Sequence, residues 1–299
     1  MVHGESHAFD SSDGDNAGEQ GGRSDAADAA EAAEKGVKTA AATAEDSTVL
    51  RLLTRAGFAL LGVVHILVGA SAISLAVGSG GVADQSGAMS QIAHTSGGAV
   101  LLWMMVAGLG ALTLWQVAQT VLVWRDGAAK RWGKRGSEAA KGVAYAVIGV
   151  SALIFALGGR ANSHHTVETL SAGLLQTPAG GLVVVLAGAT IFGIGIGFAV
   201  IGARRTFRKQ LRMPATGWAV AVTSVGLVGY VAKGVALGIV GVFFAVAAVT
   251  GDARDAGGLD AALKLLRGLT FGEVLLWVVG LGLIVYGVYC GIRALLAKL

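Results

Sequence analysis

The chain has 299 residues, of which 54% are hydrophobic and only 14% charged, with a formal net charge of +4 at pH 7. A soluble domain carries about 25% charged residues, so this composition excludes an ordinary soluble protein. The 47 glycines and 2 prolines follow no Gly-X-Y period, which excludes a collagen-like chain. Abundant glycine is typical of packed transmembrane helices. The single cysteine, Cys290, excludes an internal disulfide and a cysteine-rich metal cluster.

The N-terminal part of the chain differs from the rest in charge. Residues 1–50 hold 11 of the 19 acidic residues and only 3 of the 23 basic ones. The segment lacks the cationic start and short apolar core of a signal peptide. It also cannot bury enough apolar area to offset the entropy of ordering the chain. We therefore expect residues 1–47 to form a disordered acidic cytoplasmic tail, either a solvated leader or a protein-binding segment.

Six apolar segments follow the tail. They comprise residues 56–78, 98–122, 139–159, 178–203, 226–250 and 271–296. About 20 apolar residues cross a hydrocarbon core when helical. The segments do not alternate as membrane strands do, and a lone segment must satisfy its own backbone hydrogen bonds. The sequence thus predicts an all-α membrane protein with six transmembrane helices.

One octet pattern occurs three times along the chain. It begins and ends with glycine at Gly62–Gly69, Gly142–Gly149 and Gly234–Gly241. Each copy lies in an apolar segment that is followed by a polar loop and a second apolar segment. We expect three two-span repeats, over residues 48–125, 126–213 and 214–299. Repeats with the same orientation predict parallel hairpins around a pseudo-threefold axis along the membrane normal, either as a ring with a central cavity or as a filled bundle.

Basic residues cluster in alternate loops. Residues 125–135 and 204–212 each carry five lysines or arginines, whereas residues 79–97 carry none. Lysine- and arginine-rich loops remain in the cytoplasm, so both termini are predicted to be cytoplasmic. The opposite loops each contain a short amphipathic stretch, at residues 88–93, 166–170 and 259–263, and we expect a short helix at the outer interface in each. Thr177-Pro178 predicts the start of the fourth span.

Several short motifs resemble one known family. They are Gly229-Tyr230-Val231-Ala232-Lys233-Gly234-Val235, Asp84-Gln85-Ser86-Gly87-Ala88 before Gly98, and Gly258-Leu259-Asp260-Ala261-Ala262-Leu263 before Phe271-Gly272. In combination they resemble the bacterial membrane family catalogued as domain of unknown function 1206, in three copies over residues 51–299. The middle copy departs most, with Asn162-Ser163-His164-His165 in place of the Asp-x-x-Gly loop. The resemblance implies a multi-pass protein of the bacterial cytoplasmic (plasma) membrane and adds no catalytic residue.

The repeated glycines are predicted helix-packing residues. Glycines seven residues apart lie on one helix face, and small residues let helix backbones approach closely. The positions are Gly62, Gly69, Gly142, Gly149, Gly234 and Gly241. The run Gly193-x-Gly195-x-Gly197 lies within a span without a preceding strand, so it does not indicate a nucleotide site.

Three ionisable residues are candidates for function. His65 lies near the middle of the first span, where its repeat counterparts are Tyr145 and Leu237. It is either a pore or proton-relay residue or a neutral histidine bonded to a neighbouring helix. Lys141 and Lys233 are equivalent by repeat and are predicted near the inner boundary. There each either snorkels to the interface or contacts an anionic lipid or substrate.

The remaining patterns indicate no enzyme. There is no Ser/His/Asp order, phosphate-binding loop or intramembrane carboxylate pair, and His164-His165 with Glu168 lacks a further metal ligand. We therefore expect a non-enzymatic scaffold or envelope component, with no catalytic residue, cofactor or metal. The alternative is a small channel or transporter with a path along the pseudo-threefold axis. Expected partners are the bilayer, anionic headgroups at the basic loops, and a second copy or another membrane protein, but not nucleic acid.

Overall fold

The computed structural model describes residues 48–122, 128–214 and 217–298, so the predicted acidic tail lies outside the described residues. Within these ranges the protein consists of helices and connecting turns, with one isolated antiparallel bridge and no named strand. The α-helices of this part are α1 (Thr48–Ala76), α2 (Gln85–Ala93), α3 (Gly98–Leu122), α4 (Ala128–Ala156), α5 (Ser163–Leu175), α6 (Gly180–Ala203), α7 (Trp218–Thr250), α8 (Gly258–Arg267) and α9 (Gly272–Leu296).

Each of the six long helices covers most of one predicted apolar segment. Four of them, α1, α6, α7 and α9, are long and apolar enough over the described residues to cross a membrane. Helices α3 and α4 contribute shorter apolar stretches, Gly98–Leu114 and Gly142–Ala156. Large exposed side chains such as Val143, Val147 and Leu186 lie on the outer surface of these helices. Such a surface is suited to contact with lipid tails rather than water.

The short helices α2, α5 and α8 form where the sequence predicts them. Each lies between the two long helices of a hairpin, and we call the end of the bundle that carries them the cap end. Asp84 and Asn162 start α2 and α5, because their side chains accept hydrogen bonds from the backbone amides of Gly87 (2.9 Å) and His165 (3.1 Å).

The turn that leads into each second long helix is repeated three times. Helices α3, α6 and α9 all begin with glycine, whose amide donates to the carbonyl of Thr95, Thr177 or Leu269 at 2.9–3.0 Å. A Cβ at any of these glycines would overlap a carbonyl oxygen at the end of the preceding short helix, so glycine is required there. The prediction that Thr177-Pro178 starts the fourth span is wrong. Thr177 instead donates to the Leu174 carbonyl (2.7 Å), and the helix begins after this turn.

Three pairs of long helices pack closely: α9 with α1, α3 with α4, and α6 with α7. Each pair joins the second long helix of one hairpin to the first long helix of another. Helix α9 also packs on α7, and α1 on α3. Between described residues, the two long helices of the middle hairpin, α4 and α6, have almost no contact.

The predicted packing glycines of the first hairpin face glycines of α9. A Cβ added at Gly62 would lie 2.6 Å from the Gly287 carbonyl oxygen, and one at Gly69 would lie 2.5 Å from that of Gly280. Real Cβ atoms do not approach so closely. The backbones of α1 and α9 therefore touch only because side chains are missing on both helices.

The glycines of the third hairpin make the same kind of contact. A Cβ at Gly234 would lie 2.5 Å from the Gly195 carbonyl oxygen, and one at Gly241 would lie 2.7 Å from that of Gly188. Helices α6 and α7 thus approach as closely as α1 and α9.

The glycines of the middle hairpin differ. A Cβ at Gly142 or Gly149 would lie 3.4 Å or 3.5 Å from the Cβ of Gln116 or Leu109, which is ordinary van der Waals contact. These two glycines lie at the interface between α3 and α4 without touching a facing backbone.

The interior of the bundle is filled by apolar side chains. In the largest cluster, the bulky side chains with almost no exposed surface come from α1, α2, α3, α8 and α9, and include Val64, Met89, Leu102, Met105, Leu109, Leu263, Leu276 and Val279. The short helices α2 and α8 therefore contribute to the core as well as to the surface.

Candidate functional site

The connection between α6 and α7 covers the end of the bundle opposite the cap end, which we call the basic end. Residues 206–210 form a short 3₁₀ turn, and Leu211 then pairs antiparallel with Ala297 after α9. The Arg212 amide donates to the Leu296 carbonyl (2.7 Å), and the Lys298 amide to that of Gln210 (3.0 Å). These bonds hold the connection across the ends of α7 and α9.

An aromatic cluster lies beneath this connection. It consists of Phe198, Phe207, Tyr230, Tyr286 and Tyr289. The Phe207 ring stacks on Tyr230 with centroids 5.3 Å apart and meets the edge of Tyr289 at 5.4 Å. Its ring occupies the space that a side chain at Gly226 would need. The cluster therefore closes the basic end around Phe207.

His65 and Lys233 lie next to each other beside this cluster. The Lys233 Nζ is 3.2 Å from His65 Nε2, and His65 Nδ1 is 2.8 Å from the Leu61 carbonyl oxygen. A carbonyl can only accept, so Nδ1 carries the ring proton and Nε2 accepts from the lysine. The imidazole also meets the edge of Tyr286 at 4.8 Å between centroids. His65 is thus a neutral acceptor for the lysine ammonium.

The Lys233 ammonium otherwise faces aromatic rings. It lies 4.3 Å from the centroid of Tyr286 and 4.9 Å from that of Phe198, within the range of cation–π attraction. No carboxylate of the described residues lies within 4.0 Å of it. The ion pairs that these residues form, Arg254–Asp252 and Lys264–Asp260, belong to the loop and short helix before α9.

Arg293 is a second cation at the basic end. Its guanidinium carbon lies 4.3 Å from the centroid of Phe58, and its Nη2 donates to the Gln210 Oε1 at 3.0 Å. The buried Nε has no hydrogen-bond partner in the described part of the chain. The guanidinium therefore has an aromatic face and one neutral acceptor, and its buried Nε–H is left without a described acceptor.

Tyr289 and Cys290 precede Arg293 on α9. Tyr289 is completely buried, and its hydroxyl has no hydrogen bond of standard geometry to any described residue, although the ring centroid of Tyr230 lies 5.2 Å from that of Tyr289. Cys290 is 2% exposed.

The other predicted site residues are placed less centrally. Tyr145, the repeat counterpart of His65, is half-buried on α4. Leu237, the third counterpart, is half-buried on α7. Lys141 lies in α4, but its side chain is outside the described part of the structure.

Sequence reasoning treated His65 and Lys233 separately and missed the residues that surround them. The two are 168 positions apart in the chain, and no local pattern shows that α1 and α7 meet here. One signal was present in α9. Residues 286, 289, 290 and 293 share a helix face by their spacing and carry two tyrosines, a cysteine and an arginine.

The polar groups of the cap end, by contrast, are paired. Asp260 is 1% exposed and accepts from the Ala83 amide (2.8 Å) and from Lys264 Nζ (2.7 Å). His164 Nδ1 donates to the Gly257 carbonyl at 3.1 Å. The three hairpins are thus joined at this end by bonds that satisfy the groups involved, which is a structural role.

Two comparisons with known proteins found similar sequences. The sequence model of the family described as Domain of Unknown Function (DUF1206) matches residues 56–122, 138–205 and 228–297, one segment in each hairpin. A protein of Bacillus subtilis (strain 168) named "Uncharacterized protein YxxB" is 30% identical over 243 residues, which is 79% of this chain and 86% of that relative. No solved structure matches the chain. Neither description states an activity.

Proposed function

We propose that this chain, which belongs to the DUF1206 family and carries three tandem copies of its domain, is a non-enzymatic scaffold of the bacterial cytoplasmic membrane. In this proposal its six long helices all cross the bilayer as three parallel hairpins. The single observation that carries it is a core of buried apolar side chains to which all three hairpins contribute.

The order of helix contacts supports a pseudo-threefold arrangement. Each of the pairs α3–α4, α6–α7 and α9–α1 joins the second helix of one hairpin to the first helix of the next, and the third hairpin joins the first. Counted from the first residue of the second helix, Gly188 and Gly280 occupy the same position, as do Gly195 and Gly287. The α6–α7 and α9–α1 interfaces therefore use equivalent positions, and the α3–α4 interface lacks these glycines. The middle hairpin, whose two long helices stand apart, departs from regular symmetry.

Both ends of the bundle favour a scaffold over a conduit. At the cap end, Met89 and Leu263 are fully buried, and the hairpin loops are hydrogen-bonded to one another. At the basic end, Phe207 and Leu211 are each 1% exposed and cover the helix ends. A path along the axis would require both closures to open.

The position of the basic residues supports the proposed orientation. Arg204, Arg205, Arg208 and Lys209 are exposed at the basic end, beside the C-terminus. Cationic side chains at the cytoplasmic surface contact anionic headgroups favourably. We propose that this end lies in the cytoplasm with both termini, and that lipid, a second copy or another membrane protein covers the exposed apolar sides of α4 and α6.

Accessibility of tags and a flux assay test this proposal. Tags at either terminus should be protected in intact cells and accessible after the membrane is opened, and a tag in residues 79–82 should be accessible in intact cells. Liposomes containing the protein should release entrapped ions and small solutes no faster than empty ones. Tags at the two termini on opposite faces, or flux above the control, would overturn it.

A second candidate function, a small channel or transporter, is favoured by the polar pair His65–Lys233 within the bundle. Both residues are ionisable, and intramembrane ionisable groups often line transport paths. The same flux assay decides between the two candidates. Flux that His65→Ala abolishes while the protein remains folded would support the conduit.

A further inference from the structure

We propose that the basic end contains an anion-binding site in which Lys233 and Arg293 bind a phosphate-class oxyanion, either a free ion or a lipid headgroup. The site goes beyond the scaffold role, and it does not depend on whether any solute crosses the membrane.

Lys233 and Arg293 carry positive charge without a described counter-charge. Lys233 interacts with a neutral imidazole and two rings, and Arg293 with a neutral amide and one ring. Neither has a carboxylate within ion-pairing distance among the described residues. Charges that are largely removed from water are costly without a counter-charge, so a site with two cations favours an anionic ligand.

Three polar groups at this site have hydrogen-bond donors that no described acceptor uses. The Arg293 Nε and the Tyr289 hydroxyl are buried without a hydrogen bond of standard geometry in the described ranges, and the Lys233 ammonium has three hydrogens but one acceptor. All three groups can donate. A ligand that satisfies them must accept several hydrogen bonds and carry negative charge, as phosphate oxygens do.

Position and access agree with such a ligand. Lys233 and Arg293 are both only partly buried, so each keeps some accessible surface. The exposed Arg208 and Lys209 lie in the connection that carries Gln210, the partner of Arg293. Exposed basic residues at this end of the bundle raise the local concentration of anions. Inorganic phosphate and the phosphate of phosphatidylglycerol share this chemistry.

Binding to the full-length protein tests the site. In nanodiscs of phosphatidylcholine, titration with inorganic phosphate followed by calorimetry measures the free ion. Native mass spectrometry of detergent-solubilised protein with phosphatidylglycerol, against phosphatidylcholine, measures the headgroup. We expect binding in at least one arm, and the arm that responds identifies the source.

Variants locate the binding. Lys233→Met and Arg293→Gln should each weaken binding at least tenfold, whereas Arg208→Gln, which removes an exposed charge nearby, should change it less than twofold. Tyr289→Phe removes an oxygen without a described partner, so it should weaken binding severalfold and leave the melting temperature unchanged.

The outcomes against the site are equally definite. Absence of binding in both arms overturns it, as does wild-type affinity in Lys233→Met. An equal loss in Arg208→Gln would assign the binding to general surface charge and also overturn the site. If Lys233→Met does not fold, Tyr289→Phe carries the test, and unchanged affinity in that variant overturns the proposal. None of these results affects the flux assay that tests the scaffold.

Discussion

The interfaces α1–α9 and α3–α4 have the same glycine pattern on one helix but differ in how closely the helices approach. Gly62 and Gly69 of α1 face glycines of α9, and an added Cβ would meet backbone oxygen at 2.5–2.6 Å. In α3, Thr113 and Val106 occupy the positions that correspond to Gly287 and Gly280. With these side chains present, α3 lies further from α4 than α9 does from α1. A glycine on one helix permits close approach only when the partner helix also lacks a side chain.

The largest expected effect is from filling both positions on α1. The double substitution Gly62→Ala with Gly69→Ala forces α1 and α9 apart over two turns. We expect it to lower the free energy of unfolding by about 3 kcal/mol or more, since overpacking typically costs about 1–3 kcal/mol per site. Reversible unfolding in mixed micelles with increasing SDS measures the change. Wild-type stability in this variant would contradict the interface.

A single substitution in α6 tests the equivalent interface with α7. In Gly195→Ala the new Cβ would lie 2.7 Å from the Gly234 carbonyl oxygen and 3.0 Å from the Gly238 amide nitrogen. We expect a loss of about 1–3 kcal/mol in the same unfolding assay. Gly193→Ala is the matched control, because nothing lies within 4 Å of a Cβ at that position on the same helix. Equal losses in both variants would indicate a helix effect rather than packing.

A double-mutant cycle can convert the loose interface into a tight one. In Thr113→Gly, α3 gains the glycine that its counterparts α6 and α9 already have, so α4 can approach. We then expect Gly142→Ala to become destabilising in that background, with a coupling energy of about 1 kcal/mol. Unfolding of the four proteins gives the coupling. A value indistinguishable from zero would mean that Thr113 does not set the spacing.

The smallest expected effect has the opposite sign. A Cβ at Gly149 would lie 3.5 Å from Leu109 Cβ, an ordinary contact, and glycine within a helix costs about 0.5–1 kcal/mol relative to alanine. Gly149→Ala should therefore raise the free energy of unfolding by a few tenths to about 1 kcal/mol. The same substitution at its repeat counterparts, Gly69 or Gly241, should lower the free energy of unfolding. If the free energy of unfolding changed in the same direction at all three positions, the contrast between tight and loose interfaces would be contradicted.

The two ends of the bundle form a second contrast. Asp260 at the cap end is buried with two donors bonded to it, whereas Tyr289 at the basic end is buried with a hydroxyl that no described residue bonds. Buried polar groups without partners cost free energy and are uncommon in folded proteins. This difference is why the anion site is proposed at the basic end.

Much of the local architecture could be predicted from the sequence. The long apolar segments and the short helices before Gly98, Pro178 and Gly272 follow from local patterns, and the three tandem copies follow from an octet that recurs along the chain. The glycine octets predicted packing residues, but they could not distinguish Gly62, which touches a facing backbone, from Gly142, which does not. That distinction depends on a helix elsewhere in the chain.

The candidate site was less predictable for the same reason. His65 was identified because it is ionisable within an apolar span, and Lys233 because it interrupts another. Their contact, and the positions of Arg293 and Tyr289 beside them, depend on α1, α7 and α9 meeting at one end of the bundle.

The sequence alone determined which segments are helical and apolar, because hydrophobic length and glycine turns act locally on the chain. Only the tertiary structure decided which helices are neighbours. That choice brought Lys233 to His65 across 168 positions and left two cations without a described counter-charge. The physical reason is that helix pairing depends on the fit of two surfaces at once, and neither surface carries that information by itself.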